Sequence, residues 1–178
     1  MTDDILDKAA DAALALAAEE PWQDISLRDI AVKAEVPFAA LYGKVNGKSA
    51  LVSYISRRFD RAALAAAEGD GEDVHDRLFD AAMGRIEAME PHRAALIAMA
   101  RHVSPLVMVK GAPRTARAIL EAAGVPATPP RLAAMTAVWV RIVQVWRDDE
   151  GALNRTMAEI DKRLKEMREG LGRIRAGF

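Results

Sequence analysis

The sequence predicts an all-helical fold, and three observations lead there. Apolar residues recur at spacings of three and four along most of the 178 residues. Alanine is the commonest residue, which suits closely packed helices. Aromatics are only 5% of a chain that is 51% hydrophobic, whereas a β protein would want aromatic and β-branched strands. The length and apolar fraction allow a sizeable core, in one large or two small domains.

The elements follow in order. Ile5, Leu6, Ala9, Ala13, Leu14 and Leu16 share a helical face, and the helix ends near Glu20-Pro21. Ser26-x-x-Asp29 is a capping box that opens a short second helix, which closes near Ala34. Pro37 suits the first turn of a third helix, ending by Gly43. Asn46 is the expected cap of a long fourth helix, from Lys48 to about Glu68. Gly69-Asp70-Gly71-Glu72-Asp73 is the clearest break. Helices are then expected from about Val74 to Met89, from Pro91 to His102 and from Pro105 to Ala123. The last of these should be kinked or split at Gly111-Ala112-Pro113. A stiff loop over Gly124–Pro130 leads to a helix from about Arg131 to Arg147. A final helix follows Asp148-Asp149-Glu150-Gly151 and ends near Arg175.

Composition narrows the function. The 25 basic and 26 acidic residues leave a net charge of −1, so any contact with nucleic acid must rest on a local patch. The absence of cysteine removes disulfides, thiolate metal sites and thiol catalysis. His75, His92 and His102 have no metal-ligand spacing. Gly47-Lys48-Ser49 resembles the end of a phosphate loop, but Tyr42 stands where its first glycine would be and no strand precedes it. No catalytic residue, metal or cofactor is therefore expected. The acidic start has none of the marks of a secretory signal, and no apolar run reaches about 18 residues, so a cytoplasmic location is expected.

In the final helix Leu153, Met157, Ile160, Leu164, Met167, Leu171, Ile174 and Phe178 follow in alternating steps of four and three, an a/d seam. Such a seam packs on its own domain or on a second subunit. A membrane-surface helix is the alternative, but residues 153–178 carry seven basic and four acidic residues rather than an unbroken basic face.

Residues 26–51 are the most informative. A capped helix, a tight turn and a second short helix make a helix-turn-helix pattern, with Ile30, Ala31, Ala34, Val36 and Leu41 spaced to pack the pair. Phe38, Ala39, Tyr42 and Lys44 are left for the outer face. Together with Ile5-Leu6-Asp7, Ser26-Leu27-Arg28-Asp29-Ile30-Ala31, Ala34-x-Val36, Leu41-Tyr42 and Lys48-x-Ala50-Leu51, this stretch resembles the TetR family of bacterial transcription regulators. The resemblance covers roughly the first 60 residues. It implies an all-α subunit with a DNA-binding head over residues 1–46 and a helical body over 47–178. The body would hold an apolar effector and, through its last two helices, form a homodimer. Carried onto this sequence, Arg28, Phe38, Ala39, Tyr42, Lys44 and Lys48 are the expected contacts to duplex operator DNA.

The chain departs from the family pattern in the turn, where Glu35 stands in place of glycine and Pro37 in place of a hydroxyl cap. Residues 1–50 also hold nine acids against five basic residues, an unfavourable balance for a polyanion ligand.

Val138-Trp139, Val145-Trp146-x-Asp148-Asp149, Thr156-Met157-Ala158 and Ile160-Asp161-Lys162-Arg163-Leu164 resemble a second family. Its members are mitochondrial and alphaproteobacterial lipid-binding accessory proteins of ubiquinone biosynthesis, TetR-like with a degenerate head. That resemblance implies, as the alternative function, a lipid or isoprenoid ligand and at most peripheral membrane contact. Met83, Met99, Met108, Met135 and Trp139 are the candidate pocket lining, methionine being a pliable apolar surface. Ile142, Trp146, Met157, Ile160, Leu164 and Met167 are the candidate dimer interface.

Overall fold

A computed structural model describes residues 4–68, 73–102, 105–149 and 151–176, with the side chains at 105–110 and 173–176 outside the description. Its helices are α1 (Asp4–Glu19), α2 (Leu27–Lys33), α3 (Phe38–Lys44), α4 (Lys48–Ala66), α5 (Val74–Met89), α6 (Arg93–His102), α7 (Pro105–Ala122), α8 (Pro129–Arg147) and α9 (Asn154–Ala176). A 3₁₀ turn, Glu90–His92, precedes α6. The described residues contain no strand. The break expected at Gly69–Glu72 lies outside them, but its last residue, Asp73, caps α5 through its carboxylate.

Three boundaries differ from expectation. The Gly47 carbonyl accepts the first hydrogen bonds of α4, from Ala50 and Leu51, so Gly47 rather than Asn46 holds the cap position. α7 is not split at Gly111-Ala112-Pro113; it runs through Pro113 as one helix. Pro129 and Pro130 belong to the first turn of α8, where the missing N–H groups cost nothing.

The helices form two compact units. The first takes Met1–Arg58 and Pro91–Met108, the second Phe59–Glu90 and Val109–Phe178. α4 contributes to both.

The first unit packs α1 against α6 and against the pair α2–α3. Ala9, Ala10, Ala13 and Ala17 of α1 are buried beside Leu14, and their small side chains allow close approach. Trp22, Ile25, Ile30, Leu41, Leu51, Ile55 and Met99 complete this core.

The second unit packs α9 on α8 and α5. Its core holds Ile86, Ile119, Leu120, Met135, Ile142, Trp146, Ile160 and Leu164. Gly84 of α5 sits where a Cβ would collide with the methyl of Ala66 in α4, so this crossing requires glycine. The α8–α9 loop is closed by Asp149. Its buried carboxylate accepts from the Thr156 N–H at 2.8 Å and the Thr156 hydroxyl at 2.7 Å. It thereby satisfies a free donor of the α9 first turn from outside the helix. Leu153, the residue before α9, is held at φ 53°.

Burial revises the expected subunit seam. Ile142, Trp146, Ile160 and Leu164 are at most 2% exposed within the single chain, so they are core of the second unit and not a surface awaiting a partner. The buried row of α9 is Thr156, Ile160, Leu164, a pure i,i+4 progression. The a/d seam therefore drifts off it: Met157 is 42% exposed, and Leu153, Met167 and Leu171 are half-buried. The side chains of Ile174 and Phe178 lie outside the described residues.

The expected pocket lining also divides. Met83, Met135 and Trp139 are buried in the second unit and Met99 in the first, while the side chain of Met108 is outside the description. Beside Trp139 lies a charged cluster. Arg85 is 4% exposed, and its Nε stands 3.1 Å from Asp60 Oδ1. Its Nη2 donates to the Thr115 hydroxyl, which in turn donates to Asp60 at 3.0 Å. The guanidinium lies 5.0 Å from the Trp139 ring centroid and 5.7 Å from that of Phe59. Arg114 approaches the other Asp60 oxygen at 3.9 Å. Burial pushes the Arg85 guanidinium down to about 10, with the Asp60 carboxylate opposing the shift, so it stays charged at neutral pH.

A buried pair of this kind is unforgiving when halved. Asp60→Ala should cost about 3–5 kcal/mol, because it strands a buried cation. Adding Arg85→Met should restore much of that loss, since a methionine can fill the space without charge. Urea unfolding of the two variants checks this, and equal instability of single and double variants would contradict it.

Candidate nucleic-acid interface

The site is built on α2, α3 and the start of α4. Ser26 and Asp29 form the predicted capping box. The Asp29 N–H donates to Ser26 Oγ at 3.2 Å, and the Ser26 N–H donates back to Asp29 Oδ2 at 2.8 Å. The Ser26 hydroxyl also donates to the same oxygen at 2.6 Å. These bonds hold the Asp29 carboxyl below the usual range and keep its charge turned to the helix start.

α2 ends in a Schellman closure. The Val36 N–H donates to the Ala31 carbonyl at 3.0 Å and the Glu35 N–H to the Val32 carbonyl at 3.1 Å. The closure needs a left-handed residue between them, and Glu35 takes φ 54°. The same pair of bonds ends α7, where the left-handed position falls to Gly124 at φ 71°. One chain thus solves the same turn twice, once with glycine and once with a strained glutamate. Pro37 then caps α3 with no side-chain hydrogen bond.

Ile30, Ala31, Ala34 and Leu41 are buried, as the pattern predicts, and Val45 with them, while Val36, expected in the same set, is half-buried. The outer surface carries Arg28, Ala39, Tyr42 and Lys44, all exposed, and Phe38, half-buried. The Phe38 ring has two neighbours. The Arg28 guanidinium lies 5.0 Å from its centroid, and the Tyr42 ring 5.8 Å away at a tilt of 51°. Tyr42 is 57% exposed, and Val32 of α2 is 74% exposed.

Lys48 behaves differently from expectation. Its Nζ donates to the carbonyls of Trp22 and Ile25, each at 2.6 Å, and reaches that of Gln23 at 3.4 Å. It also sits 4.8 Å from the Trp22 ring centroid. Desolvation pushes its ammonium below the usual lysine range. An ammonium has three donors, and all three are engaged by the α1–α2 loop. Lys48 is thus a fastening of the fold, and its side chain is withdrawn from the outer surface.

Asp4, Asp7 and Asp11 of α1 are likewise occupied. Tyr54 donates to Asp7 Oδ1 at 2.8 Å, Arg58 Nη1 to Asp11 at 2.7 Å, and Lys8 pairs with Asp4 at 3.0 Å. Arg58 lies beyond residue 50, so a charge tally over the first 50 residues misses it.

Two hollows open on the first unit. One of about 230 Å³ is lined by Trp22, Gln23, Lys48, Ser49, Val52 and His102, the other of about 290 Å³ by α1 and the Pro91–Ala95 segment. Met83, Met135 and Trp139 line neither. Among the described residues no cluster of His, Asp or Glu could hold a metal ion. His75 instead pairs with Asp161 at 3.0 Å across α5 and α9. No helix among the described residues is long and apolar enough to cross a membrane.

Comparison with solved structures decides the architecture. A TetR transcriptional regulator from Nitrosomonas europaea superposes with a TM-score of 0.74 at 22% identity, over 93% of this chain and 99% of that one. One from Rhodococcus sp. RHA1 gives 0.71 at 17% identity, over 92% and 95%. A TetR-family regulator from Streptomyces coelicolor gives 0.66 at 16%, over 94% and 98%. The chain has the TetR regulator fold. No family model and no curated protein matches its sequence. Nothing in these comparisons supports the second resemblance, and Trp146, Asp149 and Thr156, which carried it, have structural duties. The Trp146 indole N–H donates to Glu90 at 2.6 Å, and the other two close the α9 turn.

The strained turn gives a direct test. Glu35→Gly should stabilise the protein by about 1 kcal/mol, because the Cβ penalty of the left-handed region disappears. Glu35→Ala keeps the Cβ and should leave stability nearly unchanged. Urea midpoints of the three proteins check the ordering, and equal gains from both variants would assign the effect to charge instead.

Proposed function

We propose that this chain is a homodimeric transcription regulator that binds duplex operator DNA through residues 1–46 and answers to a small-molecule effector bound in the remainder, residues 47–178. The observation that carries the reading is the outer face of α3: Ala39, Tyr42 and Lys44 stand in solvent on a completed helix-turn-helix, within a fold shared with TetR regulators over more than nine-tenths of the chain. An α3 of seven residues, braced from behind by Ile30 and Leu41, has the dimensions to enter a major groove. Phosphate contacts then fall to Arg28 and Lys44, joined from the edge of the body by the N–H groups that open α4 at Lys48 and Ser49. The Lys48 side chain is left out of this set.

The effector is proposed to be an apolar molecule. Met83, Met135 and Trp139 supply apolar surface in the second unit, all buried in the single chain, so its entry has to part them. Self-association is proposed through the surfaces of α8 and α9 that the subunit core leaves over. On α8 these are the exposed row Ala133, Ala137 and Val140, the last 42% exposed. On α9 they are Met157 and Met167.

Duplex binding measured against salt tests the first part. Lys44→Ala should lower the slope of log affinity on log salt by about one unit, the value of one phosphate contact. Lys48→Ala should instead lower the unfolding midpoint, and once folded should keep the wild-type slope. Unchanged affinity and slope in Lys44→Ala would remove it from the interface.

Sedimentation tests the second part. The wild-type protein should sediment as a dimer at micromolar concentration. Val140→Asp should shift it toward the monomer without changing its helical content, because Val140 is outside the core. Leu164→Asp should unfold the chain, since Leu164 is 1% exposed. A wild-type monomer would overturn the dimer.

A further inference from the structure

The chemistry of the α3 surface limits what it can read. Discrimination of guanine or adenine in the major groove uses paired hydrogen bonds from Arg, Lys, Asn or Gln. α3 is Phe-Ala-Ala-Leu-Tyr-Gly-Lys, and it offers no Asn, Gln or Arg. Its hydrogen-bonding side chains are Tyr42 and, at the very last position, Lys44. The remainder of the outer face is hydrocarbon: the Ala39 methyl, the Tyr42 ring and the edge of Phe38.

Phe38 has two neighbours, the Arg28 guanidinium at 5.0 Å and the Tyr42 ring at 5.8 Å from its centroid, and Ala39 has no rotamer to adjust. Arg28, against Phe38, and Lys44, at the end of α3, supply positive charge beside the row, while the nearby Asp29 carboxylate is bonded to Ser26. The face is therefore apolar at its centre and cationic at its margin. Within a polyanionic major groove the one apolar group on a base edge is the C5-methyl of thymine.

We infer that the Phe38–Ala39–Tyr42 face reads its operator through thymine C5-methyl groups, so that sequence preference comes from apolar contact with thymines and not from paired hydrogen bonds to purines. This rests on the DNA-binding reading above. It assigns specificity to Ala39 and the two rings, and leaves orientation to Arg28 and Lys44.

The experiment has two stages. Duplexes are first selected from a random pool by the full-length protein, and thymines are expected at adjacent positions within each half-site. The selected duplex is then remade with deoxyuridine in place of each of those thymidines, which deletes the methyl and leaves every hydrogen-bonding group in place. Affinity should fall about fourfold for each methyl lost, the effect of removing one buried methyl-sized group. In Ala39→Gly the ratio between the thymidine and deoxyuridine duplexes should shrink toward one. That ratio is independent of the fraction of protein folded, so any destabilisation by glycine does not disturb it.

Failure of the two readings looks different. No binding to any duplex at low salt would overturn the regulator reading and this one with it. Binding that selects no thymines, or that is equal for the thymidine and deoxyuridine duplexes, would overturn methyl readout alone. A selected guanine contacted at the same positions would move the recognition to Arg28 or Lys44.

Discussion

The first unit depends on one ammonium group. Lys48 begins α4, yet its side chain turns back to the loop between α1 and α2 and satisfies carbonyls of Trp22, Gln23 and Ile25. Trp22 and Ile25 anchor an otherwise exposed loop in the core, and the lysine gathers the carbonyls beside those anchors. Without the lysine those carbonyls would turn to water in the hollow beside Lys48, and the loop would lose its tie to α4. The same bonds tie the residues immediately before the α2 cap to the first residue of α4. Whatever α3 presents to a partner is presented from that fixed frame.

The elements and the helix-turn-helix were legible in the sequence because their causes are local. Ser26 and Asp29 are three residues apart, and the capping box they make involves nothing else. The left-handed φ of Glu35 was signalled only through the resemblance, which puts glycine at that position. Pro37, in contrast, precedes α3 as its cap instead of entering its first turn.

What sequence reading missed was the destination of long side chains. Lys48 looked like a phosphate ligand because a basic residue at a helix start usually faces outward. Its three acceptors lie 23 to 26 positions away, and no local pattern reports them. Arg85 reads as the polar side of α5, yet it is buried because Asp60 and Thr115, 25 and 30 residues distant, receive it. Gly84 carries no signal except the absence of a side chain, and its reason is the Ala66 methyl on another helix.

The final helix shows how a correct pattern can carry a wrong inference. The a/d seam of α9 is present, and a seam announces that something covers it. It does not say whether the cover is the same chain or another. α8 and α5 lie against α9 on its two flanks, and between them they bury Thr156, Ile160 and Leu164. A helix in contact with two neighbours buries a wider stripe than a two-stranded coil, and its centre follows i,i+4 steps rather than the heptad. Met157, one flank away from that centre, is consequently left in solvent. Thr156 sits in the buried row because Asp149 receives its hydroxyl, so a residue that reads as polar surface belongs to the core. The surplus apolar surface, on Met157 and on the Ala133–Ala137–Val140 row, is what a second subunit would have to cover. Exposed Gln144 continues the same α8 row, and Arg141 beside it is already tied to Glu159 of α9 at 2.9 Å, so polar groups border the apolar surface that a partner would meet.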